Sequence, residues 1–143
     1  LGRIKSINIG PKRGGAKRPA EKALLVAGWG LQGDGHAAPG DKQVSLLAWE
    51  SALGMRNAGA EVGCGSFGEN ITTEGVALKE LKRGDRLRVG DRALLEVTVI
   101  GKECPEPCSI FRQVGFCIMP SEGVFCRVLE GGRIKAGDLI FSL

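Results

Sequence analysis

A chain of 143 residues, 43% hydrophobic and 25% charged with a net charge of +4, is built like one globular domain with a real core. It has no run of about eighteen apolar residues, which excludes a membrane-spanning helix, and its five cysteines cannot all pair. Twenty-three glycines outside any repeat, with no tyrosine, favour a turn-rich β architecture over a helical bundle.

Gly2–Ile9 mixes polar and apolar positions and reads as an opening strand. Gly10–Pro19 reads as a loop, with Gly14-Gly15 at its middle and proline at its end. Arg3, Lys5, Lys12, Arg13, Lys17, Arg18 and Lys22 crowd this region against the single acid Glu21. No aromatics are interleaved with them and no nucleic-acid motif follows, so nucleic acid is not an expected partner. A solvated basic loop and an anion-binding arm both remain open.

Ala23–Ala27 suits a buried strand. Gly28-Trp29-Gly30-Leu31-Gln32-Gly33 then spells G-x-G-x-x-G. A dinucleotide site needs that third glycine to open a helix. Here it leads into Asp34-Gly35-His36-Ala37-Ala38-Pro39-Gly40, which no helix tolerates, so that reading is rejected.

Gln43–Leu47 predicts a short strand, and Trp49–Ala58 a helix stopped by Gly59. Glu61–Gly75 reads as one long glycine-rich loop. From Leu81 the pattern turns to β: Leu87 and Val89 alternate with Arg86 and Arg88, and Gly90-Asp91 makes a hairpin into Ala93–Ile100. Lys82-Arg83-Gly84-Asp85 is echoed by Lys135-Ala136-Gly137-Asp138, each delivering the chain into a strand. Two such units predict a strongly bent sheet closing into a barrel. Ile110–Val114 reads as one helical turn, and Cys117–Met119 and Gly123–Leu129 as strands.

The stretch Ile100-Gly101-Lys102-Glu103-Cys104-Pro105-Glu106-Pro107-Cys108 releases a stiff loop from a strand end, with a cysteine at either side of two prolines. A thiol held this way is anchored yet reachable; the same cysteines could equally be small hydrophobes at a turn. Cys104, Cys108, Cys117 and His36 could supply four soft metal ligands, but the second tight Cys pair that zinc favours is missing. His36, the single histidine, stands between Asp34 and Asp41 and leaves a Cys–His pair open. The loop from Gly65 to Gly75, with Asn70, Thr72 and Thr73, could cradle a phosphate or pterin-like ligand or simply connect two elements.

In order along the chain, Gly33-Asp34-Gly35-His36-Ala37, Gln43-Val44-Ser45-Leu46-Leu47, Phe67-Gly68-Glu69-Asn70-Ile71-Thr72-Thr73-Glu74-Gly75, Gly84-Asp85 and Leu95-Glu96-Val97-Thr98 followed by Cys104 resemble the MOSC family. That family is named for the C-terminal domain of molybdenum cofactor sulfurase, and the chain is most similar to its small stand-alone subgroup. The resemblance implies one domain over residues 1–143, mainly β, a MOSC-type barrel with a few short helices.

It further implies a cytoplasmic sulfur carrier, independent of pyridoxal phosphate, that holds sulfane sulfur as a persulfide on Cys104 and delivers it to a pterin–metal centre. Cys108 would resolve the persulfide. Asp34, His36, Phe67, Glu69, Asn70, Thr72, Thr73 and Lys102 would bind the anionic cofactor. The molybdenum cofactor or molybdopterin enters as ligand or acceptor, with no permanently bound cofactor and no metal site. Expected partners are that pterin or its precursor, molybdopterin-biosynthesis enzymes and a cysteine desulfurase. The alternative is a molybdopterin- or partner-binding module without turnover. Where the subgroup has a histidine after its cysteine, this chain has Pro105; Lys102 could supply the positive charge instead.

Overall fold

The structure, a computed structural model, describes residues 2–10, 17–59, 61–101 and 123–143. The strands are β1 (Gly2–Ile9), β2 (Arg18–Ala20), β3 (Lys22–Val26), β4 (Gly30–Leu31), β5 (Val44–Ala48), β6 (Ile71–Glu74), β7 (Arg86–Val89), β8 (Ala93–Ile100), β9 (Val124–Glu130), β10 (Gly132–Lys135) and β11 (Leu139–Ser142). One helix, α1 (Trp49–Asn57), and one 3-10 turn at Leu78–Glu80 complete the described elements.

The main sheet runs β11-β7-β8-β9-β5-β6-β1-β2, and β1 also pairs with β11 through Gly2 and Ile140. All of its eight strands except β2 therefore close into a seven-stranded barrel. Among the described strands only β5 and β6 run parallel; every other pairing there is antiparallel. A parallel pair needs a crossover, and α1 with the loop behind it provides one. Strands β10, β3 and β4 form a separate small sheet.

Inward side chains fill the barrel, among them Ile4, Ile7, Leu46, Ile71, Leu87, Leu95, Val97, Val124 and Ile140. A second cluster lies outside it, where α1 lays Ala52 and Met55 over Leu47, Phe125, Phe67 and Val62. Each fully buried Val, Leu, Ile, Phe or Met side chain contributes roughly 1.5–3 kcal/mol. This second layer takes β5, β6 and β9 out of solvent on their outer face, which allows polar groups there to be buried.

The Lys-x-Gly-Asp echo is a structural echo too. Asp85 Oδ2 accepts the Lys82 N–H and Asp138 Oδ2 the Lys135 N–H, both at 2.9 Å. Gly84 and Gly137 sit at φ 90° and 94°. Each turn then clamps a strand: Gly84 N–H and Asp85 C=O bond Val97, while Gly137 N–H and Asp138 C=O bond Ile4, all at 2.8 Å.

Two loop assignments are corrected. Ile71–Glu74, expected to continue the glycine-rich loop, is strand β6, because three β-branched residues in a row pair with β5 and β1. Pro19 sits inside β2, which tolerates it because β2 is an edge strand. The expected turn at Ile110–Val114 and strand at Cys117–Met119 lie outside the described residues.

Candidate functional site

On β1 the inward Ile4 and Ile7 leave Ser6 and Asn8 on the outer face, as Ile71 does for Thr72 on β6 and Leu46 for Ser45 on β5. These polar residues are nonetheless buried, with the Gly68–Glu69 backbone against them, and each must find a partner. Ser6 Oγ donates to Asn8 Oδ1 (2.7 Å), and Asn8 Nδ2 donates to Thr72 Oγ1 (2.9 Å) and the Glu69 carbonyl (3.2 Å). Thr72 in turn donates to Glu69 Oε2 at 2.8 Å.

The Glu69 carboxylate also accepts the N–H groups of Gly65 (3.1 Å) and Phe67 (3.2 Å), which folds the loop around it. Burial pushes the Glu69 carboxyl up, and the hydrogen bonds from Thr72 and the loop N–H groups only partly offset this. Asn70 ties the strands: its Oδ1 accepts the Ser45 N–H (3.0 Å) and its Nδ2 donates to the Asn8 carbonyl (3.3 Å).

Beside this network lies a buried ion pair. Lys17 Nζ is 2.7 Å from Asp34 Oδ1, with side chains 0% and 1% exposed. Asp34 Oδ1 also accepts the Gly10 N–H at 3.1 Å, and Oδ2 accepts the His36 N–H at 3.0 Å. Burial raises the Asp34 carboxyl, but Lys17, the Gly10 N–H, Asn70 and the His36 N–H together bring it below its ordinary value. Lys17 Nζ also stands 3.0 Å from His36 Nδ1. Through Asn70, the ion pair and the Glu69 network form one continuous polar layer.

Of the expected site residues, Asp34, His36, Glu69, Asn70 and Thr72 come together in this layer. Phe67 contributes its N–H to it while its ring packs under α1. Thr73 does not join: the alternation of β6 turns it the other way, beside Ile4 and Ala48, and its buried hydroxyl has no hydrogen-bond partner among the described residues. Lys102, Cys104 and Cys108 lie outside the described residues.

The segment carrying those three departs from β8 and returns into β9. Its ends are held together, the Gly101 N–H donating to the Gly123 carbonyl at 2.7 Å beyond the Ile100–Val124 pair. Two residues before Ile100, the Thr98 hydroxyl meets the carbonyls of Asp41 and Phe125. Lys42 Nζ lies 5.3 Å from the centre of the Phe125 ring. The Asp34–Lys42 segment is thus fastened to the strand ends that launch the cysteine loop.

Lys17, Asn8 and Ser45 were not singled out by sequence reasoning. Lys17 looked like one more charge of a basic arm; Ser6 and Asn8 were simply polar positions of an opening strand. The one available signal was Asp34, an acid in a glycine loop with no cation beside it in sequence. Among the described residues no group of three or more His, Cys, Asp or Glu could hold a metal. Among the described residues no helix is long and apolar enough to cross a membrane.

A family model for the MOSC domain matches residues 32–141. The chain belongs to the MOSC domain family. As a MOSC domain it is similar to the protein YflK of Bacillus subtilis (strain 168), 29% identical over an alignment covering 85% of this chain. The match spans about three fifths, 59%, of that relative's length. Among solved structures it is similar to YuaD from Bacillus subtilis, with TM-score 0.79, 18% identity and 97% and 93% of the two chains covered. YiiM from Geobacillus stearothermophilus superposes with TM-score 0.72 at 23% identity, covering 100% of this chain and 75% of that one. These structural likenesses carry the fold.

Proposed function

We propose that this MOSC domain carries sulfane sulfur on Cys104 and delivers it to a pterin-bound metal centre. The observation that carries the reading is the junction at Thr98. The loop bearing Cys104 starts two residues beyond a hydroxyl fastened to Asp41, on the segment that holds Asp34 and His36.

The loading step is redox-neutral. A donor persulfide R–S–S⁻ gives its terminal sulfur to the Cys104 thiolate, leaving Cys104–S–S⁻ and R–S⁻. The acceptor then supplies the electron pair that bonds the outer sulfur as the S–S bond breaks, and Cys104 leaves as thiolate; where that sulfur ends at the sulfide level, the acceptor is the two-electron reductant. Where Cys108 resolves the persulfide, its thiolate attacks the Cys104 sulfur and expels sulfide as HS⁻. The resulting Cys104–Cys108 disulfide needs a dithiol reductant to reset it.

The acceptor is written as substrate, a molybdenum-bound pterin or its precursor. Asn70, Thr72 and Glu69 are engaged with one another and with backbone, so they hold the loops and leave ligand contact to others. His36, the exposed Lys42 and Lys102 are the groups that suit an anionic, oxygen-rich acceptor. A molybdopterin-biosynthesis enzyme or a cysteine desulfurase would be the protein partner, in the cytoplasm.

The test is to treat the reduced protein with a sulfane donor and map added sulfur by peptide mass. Sulfur on the Cys104 peptide supports the reading; equal loading of wild type and Cys104→Ser overturns it. A binding module without turnover would instead retain pterin affinity after Cys104→Ser while carrying no sulfur.

A further inference from the structure

The parallel strands β5 and β6 end on the same side of the barrel, at Ala48 and Glu74. The chain leaves β5 straight into α1, and leaves β6 through Gly75 into the turn at Leu78–Glu80. Between these two departures lies an open groove of about 810 Å³. A crevice beyond the carboxyl ends of parallel strands is where open α/β sheets take their ligands, and this one has the size of a small-molecule site. Met55 and Leu78, 1% and 3% exposed, line it with Val76 and Ala48, so its floor is apolar and closed.

Gly54 also lines the groove, in the interior of α1, where only proline is a poorer helix former than glycine. A Cβ there would meet no atom within 4 Å, so packing does not require a glycine. Helical side chains lean toward the N-terminus, and a larger one at 54 would lean over Glu50 and Ser51, into the groove. The helix thus forgoes stability at a position whose side chain would fill the space. A fold that gives up local stability in this way does so at functional sites.

The rim is acidic, with Glu50 and Glu80 against Lys79, on a chain of net charge +4. Glu50 Oε2 accepts the Gly75 N–H at 2.8 Å, which joins the two walls and leaves the carboxylate acceptor capacity for a ligand. Standing in the first turn of α1, Glu50 also offsets the positive end of the helix, which would otherwise favour an anion. We propose that this groove is a small-molecule site for a ligand with an apolar body and an amine head. The body lies against Met55, Val76 and Leu78, and the ammonium meets Glu50 and Glu80. No residue of the sulfur-transfer reading takes part, so the two are tested separately.

The test follows the backbone amides of nitrogen-15-labelled protein as 4-phenylbutylamine is added. Saturable shifts are expected at Gly54, Gly75 and Ala77, with a Kd on the order of 1 mM for so small a probe. With the same body, 4-phenylbutanol should bind about fivefold more weakly and 4-phenylbutanoate about tenfold more weakly or worse, given two exposed rim carboxylates. Equal affinity for the three heads overturns the amine head. Absence of saturable shifts at these amides overturns the site.

Gly54→Leu should fill the groove and abolish the shifts at Gly75 and Ala77, while unfolding in urea no earlier than wild type. Glu50→Gln with Glu80→Gln keeps an oxygen for the Gly75 N–H; it should weaken the amine about fivefold and leave the alcohol unchanged. Unchanged amine binding in either variant contradicts the proposal. Should Gly54→Leu fail to fold, the double glutamine variant and the alcohol control decide it. Binding of a lysine-bearing peptide with 4-phenylbutylamine inert would make the groove a protein-docking surface and overturn the small-molecule assignment.

Discussion

Lys17 and Asp34 are seventeen residues apart in sequence, yet their charged atoms meet at 2.7 Å inside the protein. The pair ties the segment after β1 to the loop that carries His36. Removing one partner leaves an uncompensated buried charge, which costs about 3–5 kcal/mol. Lys17→Met should lose stability in that range by urea unfolding. Lys17→Met with Asp34→Asn should recover part of it, because the amide oxygen still accepts one backbone N–H. A double variant less stable than Lys17→Met alone contradicts the assignment.

Glu69 and Asp34 respond to pH with opposite signs. Burial holds the folded Glu69 carboxyl above its ordinary 4.5. Its stabilising contribution is therefore full below that pH and is lost as pH rises through the folded value. Asp34 is held below its ordinary 3.8, so its contribution is present above that pH and lost as pH falls through the lowered folded value. The unfolding free energy of Glu69→Gln relative to wild type should shift in the variant's favour as pH rises from 4.5 toward neutrality. A flat difference would show that Glu69 titrates normally.

What could be read from the chain beforehand was what local pattern encodes. β1, α1 and the β7–β8 hairpin follow from alternation, helical spacing and a glycine turn, and the barrel from the repeated Lys-x-Gly-Asp unit; the apolar run at Ala23–Ala27 is a strand as expected, but of β3 only Leu25 is buried and Leu24 is exposed. β6 was hidden because its three β-branched residues follow a run of glycines, and the glycines set the reading of the whole stretch. Lys17 was hidden for a different reason. Its partner is set by how two loops pack, and nothing in the spacing of a lysine among other basic residues tells a buried charge from a solvated one. The network of Asn8, Ser45, Asn70 and Thr72 depends likewise on how the loop from Gly65 to Glu69 folds back onto β1 and β5, which no local pattern encodes.

The twin turns give a stability test with a built-in control. A Cβ at Gly84 or Gly137 meets nothing within 4 Å, so the cost of alanine is conformational, at φ 90° and 94°. Gly84→Ala and Gly137→Ala should each cost about 1–2 kcal/mol in thermal or urea unfolding. Gly54→Ala, with equal space but inside α1, should stabilise by about 0.5–1 kcal/mol. Equal effects at all three positions would contradict the turn geometry.

Cys126 is buried in the barrel wall, and burial pushes its thiol up to about 12. Native protein treated with iodoacetamide at neutral pH should leave Cys126 unmodified until denaturant is added, while the partly exposed Cys64 reacts. Rapid native labelling of Cys126 would mean the wall opens. The same result decides whether sulfane sulfur can reside there.

The central claim is that Cys104 holds the sulfur, and cyanide reads it directly by converting sulfane sulfur to thiocyanate. Protein loaded with a sulfane donor and desalted should release close to one thiocyanate per chain. Cys104→Ser should release almost none, and Cys108→Ser, lacking its resolving thiol, should keep its sulfur longer than wild type. Equal thiocyanate from wild type and Cys104→Ser would contradict the account.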